Sequence, residues 1–177
     1  MKKLILLLLT TFIFSCCNKD DDQPKAEIDK LPPATQVGAN TFGCLLDGVA
    51  FKPGGGPNPL DCVYQYVNGG YYFALQGNKR DSNNNLLSVS LGTINLQIFE
   101  NNTYQLKEQQ DGNARGRFYL NTLYNDTSQI YTGELTITKL DQVNKIVSGT
   151  FWFDVLHPLT NEVVKIREGR FDMQYTN

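Results

Sequence analysis

The chain has 177 residues, of which 41% are hydrophobic and 19% charged, and its basic and acidic residues nearly balance at a net charge of −2. This composition is typical of a globular protein and excludes a wholly disordered chain. The basic residues are scattered, and their closest approach to a cluster is Arg115 with Arg117, which we interpret as part of a solvated hairpin. Without a concentrated basic stripe, nucleic acid is excluded as a partner.

Residues 1–15 have the pattern of a bacterial lipoprotein signal peptide. A short basic start precedes an apolar run at 4–14, which is too short to span a bilayer. Ser15 is a small residue directly before a cysteine, as cleavage requires. The pattern predicts that Cys16 is acylated and becomes the new N-terminus, with Cys17 as the alternative, so that the membrane is the expected partner.

A polar and acidic segment follows the two cysteines. It resembles the export signal of surface-exposed lipoproteins of the Bacteroidota, in which a polar residue and a lysine precede two or three acids: Asn18, Lys19, Asp20, Asp21 and Asp22. The match predicts an outer membrane lipoprotein exposed at the cell surface, with a periplasm-facing orientation as the alternative. Residues 16–39 contain three prolines and no apolar periodicity, and we expect them to form an acidic tether.

The predicted β domain, residues 40–177, opens with two hairpins. Asp47-Gly48 and Asn68-Gly69 are signals for two-residue turns, and each turn fixes the register of its strands. The registers place two cysteines and a row of aromatic residues on apolar faces, which we interpret as core: Cys44 opposite Phe51, Cys62 opposite Leu75, Tyr64 opposite Phe73, and Tyr66 opposite Tyr71.

The two domain cysteines predict a disulfide. Cys44 and Cys62 are the only thiols outside the leader and anchor, and an exported protein enters an oxidising compartment. Alternation points both side chains toward the core. The alternative is that both are buried free thiols, which behave as small apolar residues.

The last third of the chain, residues 133–175, predicts three consecutive antiparallel strands by its period-two alternation. The apolar phase changes between Ile166 and Phe171, which predicts a β-bulge at Gly169 because glycine tolerates positive φ. Residues 94–99 fit either a strand or a short helical turn. About ten strands and no amphipathic helix predict an antiparallel β-sandwich or flattened barrel, with a lipocalin-like meander as a sub-option.

Few residues carry recognisable chemistry. His157 is the only histidine and lies in a loop, so neither a zinc site nor a catalytic triad is predicted, and no metal or cofactor is expected. Glu134 and Asp154 lie on polar faces of neighbouring predicted strands. Such a carboxylate pair is the basis of a hydrolase alternative that acts on glycans.

Three segments resemble a family of small Bacteroidota lipoproteins whose domain has no assigned function: TFGCLLDGVAF at 41–51, GELTITKLD at 133–141, and SGTF at 148–151 followed by EGRFD at 168–172. The resemblance implies a β-rich envelope lipoprotein and supplies no catalytic or binding residues. We therefore predict a membrane-anchored, non-enzymatic binding or structural module, with an envelope protein or glycan as partner. The alternatives are the glycan hydrolase and a carrier of small apolar ligands.

Overall fold

The structure is a computed structural model that describes residues 24–177. A short 3₁₀ helix, Glu27–Lys30, precedes the strands. In chain order the strands are β1 (Thr41–Leu46), β2 (Val49–Phe51), β3 (Leu60–Val67), β4 (Gly70–Arg80), β5 (Leu86–Thr93), β6 (Thr103–Leu106), β7 (Ala114–Leu120), β8 (Leu123–Asp126), β9 (Gly133–Asp141), β10 (Ile146–Leu156) and β11 (Val163–Gln174).

All eleven strands belong to one sheet, in the order β2-β1-β11-β10-β9-β6-β7-β5-β4-β3, with β8 paired to β7. Neighbouring strands are antiparallel except β6 and β7, which meet in one parallel pair, Leu106 with Ala114. The sheet is not closed into a barrel and has a sandwich-like form. The predicted all-β fold is therefore confirmed, in its sandwich version.

The two N-terminal hairpins have the predicted registers, including Cys44 opposite Phe51 and Tyr64 opposite Phe73. Both residues of each turn have positive φ, at 49° and 83° for Asp47-Gly48 and at 51° and 84° for Asn68-Gly69. These values fit the turn whose twist matches that of paired strands. Of the predicted aromatic row, Tyr66 lies outside the core and is exposed.

Aromatic rings fill the core between the two halves of the sheet. The Phe42 and Phe151 rings lie 5.3 Å apart, and those of Phe151 and Phe153 lie 6.3 Å apart. A Cβ at Gly116 of β7 would lie 2.8 Å from the Phe153 ring of β10, so the two halves are in direct contact. This packing removes a large apolar area from water, which is the main stabilising contribution to such a fold.

The described part of the predicted tether, residues 24–39, lies against the sheet. Asp172 of β11 is fully buried and holds this segment. Its carboxylate accepts five hydrogen bonds, from Thr35 Oγ1 (2.6 Å), Val37 N (3.0 Å), Gly38 N (2.8 Å), Ala39 N (3.1 Å) and Ser148 Oγ (2.8 Å). We call Asp172 and these donors the Asp172 clasp.

Two further contacts hold the same segment. Glu27 Oε2 accepts a hydrogen bond from the Ala50 amide (2.8 Å), which covers part of the edge of β2. Pro32 packs on Gly43, where an added Cβ would lie 2.6 Å from Pro32 Cδ. Within residues 24–177, no helix is long and apolar enough to cross a membrane.

The predicted disulfide is wrong for this structure: Cys44 and Cys62 are both free, buried thiols. Cys44 lies on β1, between β2 and β11, whereas Cys62 lies on β3 at the far end of the strand order. Because the strands are not neighbours, no ladder holds the two sulfur atoms at bonding geometry. Burial raises the pKa of both thiols, as expected for small apolar side chains in a core.

One loop differs from expectation. Residues 94–99 form neither a strand nor a helical turn, although Ile98 is fully buried. The short strand β8 follows β7 directly, and β9 begins at Gly133. β8 pairs only with β7, and its two large apolar residues, Leu123 and Tyr124, are exposed. Its sequence therefore lacks the alternation of a strand with one buried face.

Candidate functional site

The candidate site lies on the outward face of β9, β10 and β11. In β10, Phe151 and Phe153 are buried, so Trp152 between them points outward. The registers place polar residues of the neighbouring strands beside it: Glu134 opposite Trp152, with Thr136 and Arg170 opposite Thr150.

A β-bulge interrupts β11 beside Trp152. Phe151 pairs with Gly169 and Phe153 with Ile166, so three steps along β11 oppose two steps along β10. The pairing of β11 with β1 shows the same extra residue. The bulge predicted from the change of apolar phase is therefore confirmed.

The bulge differs from the prediction in which residue has a positive φ. The residue with positive φ is Glu168, at 53°, and not Gly169. Gly169 is required for a different reason, because a Cβ there would lie 2.5 Å from the Phe151 ring. The consequence for the site is that Arg167 and Glu168 both stand opposite Trp152.

Trp152 contacts two charged side chains and stays open to solvent. Its Nε1–H donates a hydrogen bond to Glu134 Oε2 (3.3 Å). The Arg167 guanidinium lies over the indole, with Cζ 5.3 Å from the ring centroid, a cation–π geometry. The residue is nevertheless 38% exposed, so an apolar ring surface remains available among polar groups.

Arg167 is held in place by three acceptors. Its Nη2 donates to Asp154 Oδ1 (2.6 Å), and its Nη1 donates to the carbonyl oxygens of Phe153 (3.0 Å) and Ile166 (2.8 Å). A guanidinium fixed by several hydrogen bonds is pre-organised, so it loses little side-chain entropy when a ligand binds.

A groove of about 510 Å³ runs along these side chains. Its walls come from β9, β10, the bulge and the N-terminal segment: Ala34, Glu134, Thr136, Thr150, Phe151, Trp152, Arg167, Glu168, Gly169 and Arg170. Ala34 belongs to the segment that the Asp172 clasp holds. The groove, which we call the Trp152 groove, therefore depends on that clasp for one wall.

The polar groups of the groove have both signs of charge. Arg170 Nη2 lies 3.8 Å from Glu168 Oε2, and Arg167 is paired with Asp154. Glu134 adds a further negative charge. The groove can therefore donate and accept hydrogen bonds at several positions without a strong field of one sign.

The sequence-predicted site residues have different outcomes. The anchor candidates Cys16 and Cys17 and the acidic export signal, residues 18–22, lie outside the described residues and stay predictions. The carboxylate pair is brought to one face: Glu134 is opposite Trp152, and Asp154 is two residues further along the same strand. Trp152 and Arg167 were missed, because only the bulge brings them together.

The His157 side chain accepts hydrogen bonds from the backbone of its own loop. Its Nδ1 accepts hydrogen bonds from the amides of Leu159 (3.3 Å) and Thr160 (3.2 Å), and its ring lies 6.0 Å from that of Phe118. Among residues 24–177, no group of three or more histidine, cysteine, aspartate or glutamate residues is arranged to hold a metal ion.

Comparison with protein families matches residues 80–173 to DUF6252, a domain of unknown function. The matched range begins at the end of β4 and ends within β11, so it includes every residue of the Trp152 groove except Ala34. Comparison with curated proteins and with solved structures finds no significant match.

Proposed function

Because the chain belongs to the DUF6252 family, to which no function is attached, we propose a function from the groove itself: the protein is a membrane-anchored lipoprotein that binds glycan chains without cleaving them. The observation that carries this proposal is the exposed indole of Trp152, set in a groove of charged and hydroxyl side chains.

Sugar rings have the chemistry that fits such a groove. Their C–H faces pack on aromatic rings, while their hydroxyl groups exchange hydrogen bonds with carboxylates, guanidinium groups and threonine hydroxyls. The volume of about 510 Å³ lies within the range of ordinary small-molecule sites, roughly 300–1,000 Å³. One or two sugar units of a longer chain would fill it.

The hydrolase alternative has less support, although Glu134 and Asp154 share a face. A glycoside hydrolase needs one carboxyl group free to donate a proton to the leaving oxygen. Here Asp154 is ion-paired with Arg167, and Glu134 accepts the indole N–H. Both carboxylates are used to position Trp152 and Arg167, which favours binding over cleavage.

The carrier alternative needs an open apolar interior. Within residues 24–177 the core positions are instead filled by aromatic rings in contact, including Phe42, Phe151 and Phe153. The groove that remains is on the outward face and combines charged and hydroxyl side chains with an aromatic ring, which favours a glycan over a small apolar ligand.

The anchoring part of the proposal comes from the leader. Acylation of Cys16, or of Cys17 as the alternative, attaches the protein to the outer membrane, since two or more acyl chains are needed for stable attachment. The acidic residues after the cysteines favour display at the cell surface. A glycan or glycan-bearing protein of the envelope is the partner that this location offers.

We expect Trp152→Ala to weaken glycan binding at least tenfold, a loss of about 1.4 kcal/mol or more. The reason is that the variant loses the apolar ring surface and leaves Arg167 without its cation–π contact. Isothermal titration calorimetry against envelope polysaccharide fragments measures the effect. Tyr66→Ala removes an aromatic ring on β3 that is even more exposed than Trp152, and this variant should bind as the unchanged protein does.

The same fragments separate binding from hydrolysis. The proposal predicts that they are recovered intact after incubation with the protein, as chromatography of the fragments would show. Release of shorter fragments that stops in Glu134→Gln or Asp154→Asn would establish the hydrolase instead. Equal affinity of the Trp152→Ala variant would show that the groove is not the binding site.

The anchor has its own expected result. Replacing both Cys16 and Cys17 with serine should move the protein from the membrane fraction to the soluble fraction, because no acylation site remains. Each single replacement shows which cysteine is used. A double variant that stays membrane-bound would refute the lipoprotein proposal, and resistance of intact cells to external protease would favour the periplasm-facing orientation.

A further inference from the structure

A second cluster lies on the outward faces of β7 and β8, away from the Trp152 groove. Arg115 and Arg117 alternate with core residues of β7, and Arg117 is opposite Asp126 of β8. The sequence interpretation of the two arginines as a solvated hairpin is wrong, because Arg117 is only 8% exposed. The guanidinium groups of Arg115 and Arg117 are therefore both close to the partly buried carboxylate of Asp126.

Arg117 has a full set of partners. Its Nε and Nη2 both donate to the carboxylate of Asp126, the second at 2.7 Å, and Nη2 also donates to Gln109 Oε1. Its Nη1 donates to Tyr119 Oη (2.9 Å), and its Cζ lies 4.0 Å from the centroid of the Tyr124 ring. The charge of Asp126 is thus committed to Arg117.

Arg115 has no such set. Its Nη1 lies 3.6 Å from Asp126 Oδ1, too far for a hydrogen bond. Among the residues that the structure describes, neither Nε nor Nη1 has a hydrogen-bond acceptor, although both atoms are shielded from solvent. The side chain as a whole is 20% exposed, so another part of it reaches the surface while Nε and Nη1 are covered.

The surroundings compensate the charge of Arg115 only in part, because Asp126, 3.6 Å away, already accepts hydrogen bonds from Arg117. Burial, and then the charge of Arg117, lower the pKa of Arg115, yet an arginine stays protonated in proteins. Gly92 of β5 is opposite Arg115 in the register, and a Cβ there would lie 3.6 Å from Nη2. The Arg115 guanidinium therefore lies over the backbone of Gly92, which has no side chain to contact it.

Unpaired buried donors of this kind are rare and call for an explanation. A guanidinium whose donors are incompletely paired is matched best by a planar or tetrahedral oxyanion. We propose that Arg115, beside the Arg117–Asp126 pair, binds an oxyanion: a carboxylate, sulfate or phosphate group. The site is independent of the Trp152 groove, and its anion is either a free ion or a group carried by an acidic glycan.

The N–H groups of the two arginines provide an internal comparison. In NMR spectra of the ¹⁵N-labelled domain, added sulfate should shift the Nε–H resonance of Arg115 with saturation. The Nε–H of Arg117 should move little, because Asp126 already accepts it. An Arg115 resonance that does not move, or that moves in proportion to all other arginines without saturation, would overturn the proposal.

A variant tests the same site through stability. Arg115→Leu removes a charge that Asp126 compensates only in part and two covered N–H groups without an acceptor. Its Tm without anion should therefore equal or exceed that of the unchanged protein, and the rise in Tm with sulfate should disappear. Arg80→Leu removes an exposed arginine of β4 and should keep that rise. A fall in Tm for Arg115→Leu without anion would show that the guanidinium only supports the fold.

Two probes distinguish the source of the anion. Inorganic sulfate tests the free ion, and an oligomer of galacturonic acid tests a carboxylate carried by a sugar chain. The site is assigned to acidic glycans if the oligomer binds at least tenfold more tightly than sulfate and if this binding is lost in Arg115→Leu. Equal affinities assign it to small oxyanions, and binding of either probe that survives in Arg115→Leu contradicts the site.

Discussion

Replacing Asp172 with asparagine is expected to lower the free energy of unfolding at pH 7 by about 3–5 kcal/mol. The substitution puts an amide N–H₂ group among five donors, so several buried N–H groups lose their acceptor. Urea denaturation measures the difference. Asp61→Asn, at an exposed position of β3, is the matched control and should change stability by less than about 0.5 kcal/mol.

The effect of Asp172 should depend on pH. Burial raises the pKa of this carboxyl group, but the hydrogen bonds from Thr35, Val37, Ser148 and Ala39 outweigh burial and lower the pKa to about 2. In the unfolded chain it is about 3.9. The unfolded state therefore binds the proton more readily, so the stabilisation is complete above about pH 5 and is lost as the pH falls toward 2.

The stability difference between the unchanged protein and Asp172→Asn should accordingly shrink between pH 5 and pH 2. Because Ala34 lies in the segment that this residue holds, the variant should also bind ligands of the Trp152 groove more weakly. A variant as stable as Asp61→Asn at pH 7, or a difference that does not change in acid, would contradict this account of the clasp.

Gly149→Ala is expected to destabilise the fold by about 3 kcal/mol. The added Cβ would lie 2.3 Å from the Thr136 carbonyl oxygen and 2.7 Å from the Phe171 ring, so β9 and β10 would have to separate. Gly133→Ala is a second test, because its Cβ would lie 2.1 Å from the Trp152 carbonyl oxygen. Thermal unfolding followed by circular dichroism measures both.

Gly56→Ala is the control for these two variants. The position has open space around it and no positive φ, so the change should be within about 0.5 kcal/mol. If Gly149→Ala and Gly133→Ala were as stable as Gly56→Ala, the close approach of strands beneath Trp152 would be wrong.

Local patterns account for the parts of the fold that the sequence predicts well. The turns at Asp47-Gly48 and Asn68-Gly69 need positive φ, which few residues tolerate, so the two-residue signals fix the registers around them. The bulge is likewise visible as a change of apolar phase along one strand. In each case the determining residues lie within a few positions of one another.

Long-range contacts account for the failures. The donors of the Asp172 clasp lie more than 130 residues before it, apart from Ser148, and no local pattern connects them. The same holds for Cys44 and Cys62. Whether these two residues can meet depends on the order of the strands in the sheet, and alternation along the chain does not reveal that order. The Trp152 groove was missed because its parts come from the bulge, two other strands and the N-terminal segment.

The central claim is that the Trp152 groove binds glycan chains, and fluorescence tests it most directly. Trp152 is the only tryptophan in the chain, so its emission reports on this groove alone. Titration with envelope polysaccharide fragments should shift the emission to shorter wavelength and saturate, because a bound sugar removes water from the indole. An emission spectrum unchanged by fragments that calorimetry shows to bind would contradict the claim.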